Sequence, residues 1–237
     1  MRAILFDKDG TLLDFEATWT PLYRKMAEIL AEGDPSRAAA MLSAGGYDSL
    51  AGRMLAGPGS DAGTTDQIVS AWFPSLSGAA FRAMVARVDD AFHDHGKAHS
   101  VPVPGVAATL DRLAGEGYRM GVATNDATLA ATAALAALGL DRRLSAILGA
   151  DSVPRPKPAP DTVLLFAEAV GVAPGEVAVV GDNRYDLEMA RAAGAGLAVG
   201  VLTGNSGPEE LAGLADIVLP SIRELPDWLR HAGQNRK

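Results

Sequence analysis

Two carboxylates, Asp7 and Asp9, follow the apolar run Ala3-Ile4-Leu5-Phe6 and precede Gly10-Thr11. The apolar run reads as a buried strand, and open α/β sheets bind ligands at the carboxyl ends of their strands. Asp7 therefore has the position for nucleophilic attack. A carboxylate is a weak nucleophile, and against an anionic phosphoryl group it needs a hard cation and nearby donors. Asp9, just beyond the strand end, has the position to move a proton to or from an ester oxygen. Gly10 permits the sharp turn. An isolated Asp-x-Asp-Gly is more often a simple turn, so the weight falls on what the rest of the chain adds.

Three further segments add it. Gly121-Val122-Ala123 runs into Thr124-Asn125, and Val177-Ala178-Val179-Val180 runs into Gly181-Asp182, with Asp186 four residues on. Between them Lys157 is held by Pro156 and Pro158 in a loop that can be neither helix nor central strand. Taken singly these are a helix cap, a turn and a solvated charge. Their order, at successive strand ends, favours one shared site.

The elements that must position these residues follow from periodicity. The chain alternates helix and strand from residue 106 onward: helix 106–114, strand 118–123, helix 128–138, strand 146–148, helix 160–170, strand 176–180, helix 187–193, and strands 197–201 and 217–219. Ser221 to Glu224 has the spacing of a capping box opening the last helix. Such alternation predicts a parallel sheet covered by helices on both faces. In helix 128–138, Leu129, Leu135 and Leu138 read as core. Residues 15–100 differ in character. They read as helices over 20–32, 34–44, 64–72 and 77–94, punctuated by Gly45-Gly46, Gly57-Pro58-Gly59 and Gly63, with no convincing strand. The expected organisation is an α/β core from residues 1–14 and 101–237, interrupted by an all-helical cap at 15–100. Val101-Pro102-Val103-Pro104-Gly105 makes the return, and the polar tail 233–237 reads as frayed.

Bulk properties narrow the classes. At 237 residues, 48% apolar and 21% charged, the chain reads as an ordinary soluble globular protein. A net charge of −8 argues against nucleic acid and anionic membrane as partners. With no cysteine, disulfides and thiolate chemistry are excluded. No apolar stretch approaches the roughly 20 residues of a membrane span, and no secretory signal is read, so a cytoplasmic location is expected. A small molecule is the expected partner, with the chain a monomer or weak homodimer.

Together, Asp7-x-Asp9-Gly10-Thr11, Thr124-Asn125, Lys157 in Lys-Pro-x-Pro, and Gly181-Asp182-x-x-x-Asp186 resemble the four motifs of the haloacid dehalogenase-like superfamily. Phe6-Asp7-Lys8-Asp9-Gly10-Thr11-Leu12 and the proline-flanked Lys157 look most like its phosphoglycolate phosphatase-type members. The resemblance implies a Rossmann-like core with a helical cap, and a magnesium-dependent phosphatase acting on a small phosphate ester. It implies Asp7 as nucleophile forming an aspartyl-phosphate, Asp9 as acid and base, and Thr124, Asn125 and Lys157 on the phosphate. Magnesium would be held by Asp7, the main-chain carbonyl of Asp9, and Asp182. Asp186 would orient Lys157 or a water, with direct ligation as the alternative. Four like charges gathered without a cation would repel strongly, which itself argues for one. Alternatives are a sugar-phosphate or nucleotide phosphatase, a beta-phosphoglucomutase-like phosphomutase, or a catalytically silent binding module. A phosphonatase would need a cap lysine, and only Lys25 and Lys97 are at hand. Lys8 is expected to point away from Asp7 and Asp9 and to have no role. Of the cap cations Arg24, Lys25, Arg37, Arg53, Arg82 and Arg87, Arg53 is singled out as a substrate contact, because its glycine-punctuated surroundings could approach the site. His93, His95 and His99 read as helix C-terminal charges, not as metal ligands.

Overall fold

Strand β1 (Ala3–Phe6) lies at the centre of the molecule with all four residues buried. Its side chains alternate between two apolar clusters. Ile4 and Phe6 pack on one face of the sheet and Ala3 and Leu5 on the other, so no position is left for a polar residue until the strand ends. The computed structural model describes residues 1–55 and 64–234, apart from the side chains of 233 and 234.

After β1 come helix α1 (Phe15–Leu30), helix α2 (Pro35–Ala44), the short strands β2 (Tyr47–Asp48) and β3 (Arg53–Met54), and helices α3 (Thr65–Trp72) and α4 (Gly78–His99). The alternating part follows: α5 (Val106–Gly115), β4 (Arg119–Ala123), α6 (Thr128–Ala137), β5 (Ala146–Leu148), α7 (Asp161–Val170), β6 (Val177–Gly181), α8 (Arg184–Ala193), β7 (Leu197–Val201), α9 (Pro208–Ala212), β8 (Ile217–Leu219) and α10 (Leu225–Gln234). Six strands form one sheet in the order β5-β4-β1-β6-β7-β8, and every pairing is parallel. The chain builds outward from β1 through β4 and β5, then returns to its other side with β6. That reversal places a crevice at the carboxyl end of β1.

Helices α1 to α4 enclose an apolar cluster of their own, in which Trp19, Tyr23, Met41, Ile68, Trp72 and Phe92 are buried. The two tethers to the core run side by side. Asp14 N donates to the Val101 carbonyl at 2.8 Å and Val103 N to the Leu12 carbonyl at 2.9 Å. Helix α4 also packs along α6, where its Gly96 faces Trp19 and Ala134.

The structure corrects several expectations. Helix α1 begins at Phe15, not Thr20. Asp14 caps it by accepting from Ala17 N, so Pro21 is an interior residue and not a start signal. The 15–100 segment is not entirely helical, because β2 and β3 pair antiparallel. Glu16 fastens that hairpin to α1 by accepting from Met54 N at 2.6 Å. Leu129, read as core, is 71% exposed, while Leu135 is buried. Helix α8 begins three residues earlier than expected, and the short α9 was not foreseen. Ser221 caps the turn Ile222–Glu224 ahead of α10, by accepting from Arg223 N. Helix α10 runs through Gln234, so residues 233 and 234 belong to it. Residues 235–237 and the Gly57-Pro58-Gly59 and Gly63 turns lie outside the described residues. His95 Nε2 sits 2.6 Å from the Thr18 carbonyl, and its ring tilts against His99.

Candidate active site

Register brings the site together. Phe6 pairs with Val122 of β4 and Val180 of β6, so Asp7, Thr124 and Asp182 leave the sheet at one edge. Asp7 N still donates to the Val180 carbonyl at 2.8 Å, which fixes the backbone of the first carboxylate.

Lys157 arrives from the proline-flanked loop between β5 and α7. Its Nζ donates to Asp7 Oδ1 at 2.5 Å and to Asp186 Oδ1 at 2.7 Å. The loop is fixed in turn by Asn125, whose Nδ2 donates to the Lys157 carbonyl at 3.3 Å. Asp186 has a second task. Its Oδ2 accepts from Asn183 N, and Asn183 Oδ1 accepts from Tyr185 N, which together cap α8. One buried carboxylate thus joins a helix start to the site lysine. Thr124 Oγ1 accepts from Asp126 N, closing the turn after β4 and leaving its proton to donate elsewhere.

Asp182 is seated by backbone as much as by side chains. Thr11 Oγ1 donates to its Oδ1 at 3.1 Å. A methyl group at Gly10 or at Gly204 would overlap its carboxylate, and Gly10 also has φ of +82°. Thr203 Oγ1 donates to the Gly10 carbonyl at 2.6 Å and fastens the two loops together.

Asp9 is bound more tightly than its place on a turn suggested. Lys8, expected to point away, is completely buried and donates through Nζ to Asp9 Oδ2. Strand β1 stops at Phe6, so its alternation does not govern Lys8. The ammonium also pairs with Asp126 Oδ2 at 2.9 Å. Trp19, from α1, donates through Nε1 to Asp9 Oδ1 at 2.6 Å.

Burial dominates the electrostatics. It pushes the Asp7 carboxyl up to about 6 against the pull of Lys157, and the Asp9 carboxyl up to about 6 against the pull of Lys8. For Lys157 burial works toward neutrality, but Asp186 and Asp7 outweigh it and hold the ammonium above its ordinary value. Oxygens of Asp7, Asp182 and Asp186 lie within 4.8 Å of one another. Two of these buried carboxylates, Asp7 and Asp186, pair with the Lys157 ammonium, and with Asp182 they make a donor set of hard oxygens.

One small cavity is lined by Asp7, Asp9, Thr124, Asn125, Lys157, Asp182 and Asp186, together with Asn183 and Tyr185. Arg53 is not brought to it. It is exposed on the β2–β3 hairpin. Sequence reasoning did not find Lys8, Thr11, Trp19, Asp126 or Gly204 as parts of the site. Thr11 and Lys8 lay within a recognised motif. No local spacing marked Trp19, Asp126 or Gly204.

The family model for haloacid dehalogenase-like hydrolases matches residues 1–194. The chain belongs to this family. Among its relatives, a Xylella fastidiosa protein named phosphoglycolate phosphatase is 33% identical over 193 residues, covering 81% of this chain and 77% of that protein. An Escherichia coli protein of the same name is 38% identical over 123 residues, 52% of this chain and 48% of that one. In structure, a predicted phosphoglycolate phosphatase of Haemophilus somnus superposes with a TM-score of 0.72 at 22% identity, covering 97% of this chain and 98% of that one. At that identity the likeness speaks for the shared fold. Among the described residues of this hydrolase, no helix is long and apolar enough to cross a membrane.

Proposed function

We propose that this hydrolase is a magnesium-dependent phosphatase of a small phosphate monoester, working through an aspartyl-phosphate on Asp7, with phosphoglycolate as its substrate. The observation that carries the reading is that Asp7, Asp9, Thr124, Asn125, Lys157, Asp182 and Asp186 wall one and the same cavity. The relatives named phosphoglycolate phosphatase support the choice of substrate. In this reading residues 1–14 and 101–237 are the core, and 15–100 form a lid over the cavity.

The carboxylates suit a hard cation. Asp7, Asp182 and the main-chain carbonyl of Asp9 would hold magnesium, while Asp186 keeps Lys157 in place. When bound it supplies charge neutralisation of the phosphoryl oxygens. The chain's own groups do the rest. Lys157, the Thr124 hydroxyl and the second hydrogen of the Asn125 amide bind the phosphoryl oxygens. An Asp7 oxygen attacks phosphorus, the bond from phosphorus to the ester oxygen breaks, and the Asp9 carboxylic acid gives its proton to the leaving oxygen. Asp9, now a carboxylate, takes a proton from the water that attacks the intermediate. The bond from phosphorus to Asp7 breaks, inorganic phosphate leaves and Asp7 is restored.

A panel of phosphoglycolate, hexose phosphates and nucleotides, scored for phosphate release with magnesium, tests the reading. The highest kcat/KM is expected for phosphoglycolate. Interconversion of hexose phosphates without release would make the chain a phosphomutase, and release from none of them would overturn the phosphatase reading.

A further inference from the structure

The Asp9 carboxylate receives one donor from the core and one from the helical segment. Trp19 Nε1, on α1, donates to Oδ1, and Lys8 Nζ donates to Oδ2. The same indole ring faces the Lys8 ammonium, with Nζ 4.9 Å from the ring centroid. Asp126, after β4, supplies the countercharge. The ring itself is held, with Phe92 edge-on at 5.3 Å and Gly96 so close that a methyl group there would press on it. A completely buried ammonium is costly unless every partner is in place, and an apolar residue would fill the same space at less cost. Retaining a lysine there is explained if its hydrogen bond to Asp9 is the purpose.

We infer that Trp19 and Lys8 are positioning residues that hold the Asp9 carboxyl in its proton-transfer orientation, so that the acid is aligned only while α1 stands against the core. The inference rests on the reading of Asp9 as general acid. An unrestrained aspartate rotates about two torsions, whereas here each oxygen has a fixed donor and the residue lines the cavity. Because the Trp19 donor belongs to α1, displacement of that helix would remove one of the two restraints.

Leaving-group dependence separates positioning from mere support. The parameter kcat/KM covers the steps through transfer to Asp7, where an alkoxide such as that of phosphoglycolate needs a proton and p-nitrophenolate does not. Asp9→Asn is the reference, and its kcat/KM is expected to fall roughly 10²–10⁴-fold on phosphoglycolate with far less loss on p-nitrophenyl phosphate. Trp19→Phe keeps the aromatic face and removes the N–H. It is expected to lose about tenfold on the alkyl ester and less than about threefold on the aryl ester. Lys8→Met is expected to lose roughly 10²-fold with the same asymmetry; if it does not fold, Trp19→Phe decides alone. Equal losses on both esters, or no loss, with Asp9→Asn behaving as expected, overturns the positioning role. Equal losses for Asp9→Asn itself would instead remove the general acid, and this inference with it.

Discussion

Asp7→Asn is expected to lower phosphatase turnover by roughly 10⁶-fold, the scale on which loss of a covalent nucleophile registers, while the protein stays folded. The amide keeps the shape of the carboxylate and removes its nucleophilic oxygen. Stability should not suffer, because the substitution takes a buried charge out of a site where burial already opposes ionisation. Lys157 also retains Asp186 as partner. Steady-state phosphate release and a thermal melt check both halves. A rate within tenfold of the unaltered enzyme would mean that water attacks the ester directly.

Removal of magnesium is expected to have the second large effect. Three buried carboxylates lie within 4.8 Å of one another, two of them on the Lys157 ammonium, and a cation among their oxygens would offset the repulsion between them. Activity is expected to vanish on exhaustive chelation and to return with magnesium. Calcium should suppress it, because its larger and looser shell lets Asp7 coordinate in a way that spoils attack. Gly204→Ala sharpens the test, since its methyl group would displace the Asp182 carboxylate. The magnesium concentration for half-maximal rate should rise by roughly 10- to 100-fold, the effect of disturbing the support of a ligand. Full turnover after chelation would sink the metal assignment. An unchanged requirement in the glycine variant would remove Asp182 from the ligand set.

The core was legible because its signals are local and repeated. Asp7, Thr124 and Asp182 each follow an apolar run, and a parallel sheet must bring such ends to one edge. Lys157 was legible from its prolines. What was missed depends on folding between distant segments. Trp19 lies on a helix whose start was misread, placed at Thr20 while Asp14 is the cap. Once α1 begins at Phe15, Trp19 falls beside the tether and within reach of Asp9. Lys8 was misplaced because its partners, Asp9 and Asp126, are set by the turn after β1 and by a segment more than a hundred residues on, which no local spacing marks. The β2–β3 hairpin has two residues per strand, too few to show a period. Leu129 satisfied a composition argument in an alanine-rich helix where apolar residues occur all round, so spacing could not tell its exposed side.

The central claim is that a phosphoryl group passes through Asp7. It is tested most directly by mixing enzyme with a phosphate ester, quenching in acid within the first turnover, and mapping the modified peptide by mass spectrometry. Asp9→Asn serves as a second sample in which breakdown of the intermediate is slowed. The account predicts one phosphoryl group on the peptide containing Asp7, absent from Asp7→Asn. Formation of product in a single turnover with no phosphoryl group on Asp7 in either sample, or with the group on another residue, would contradict it.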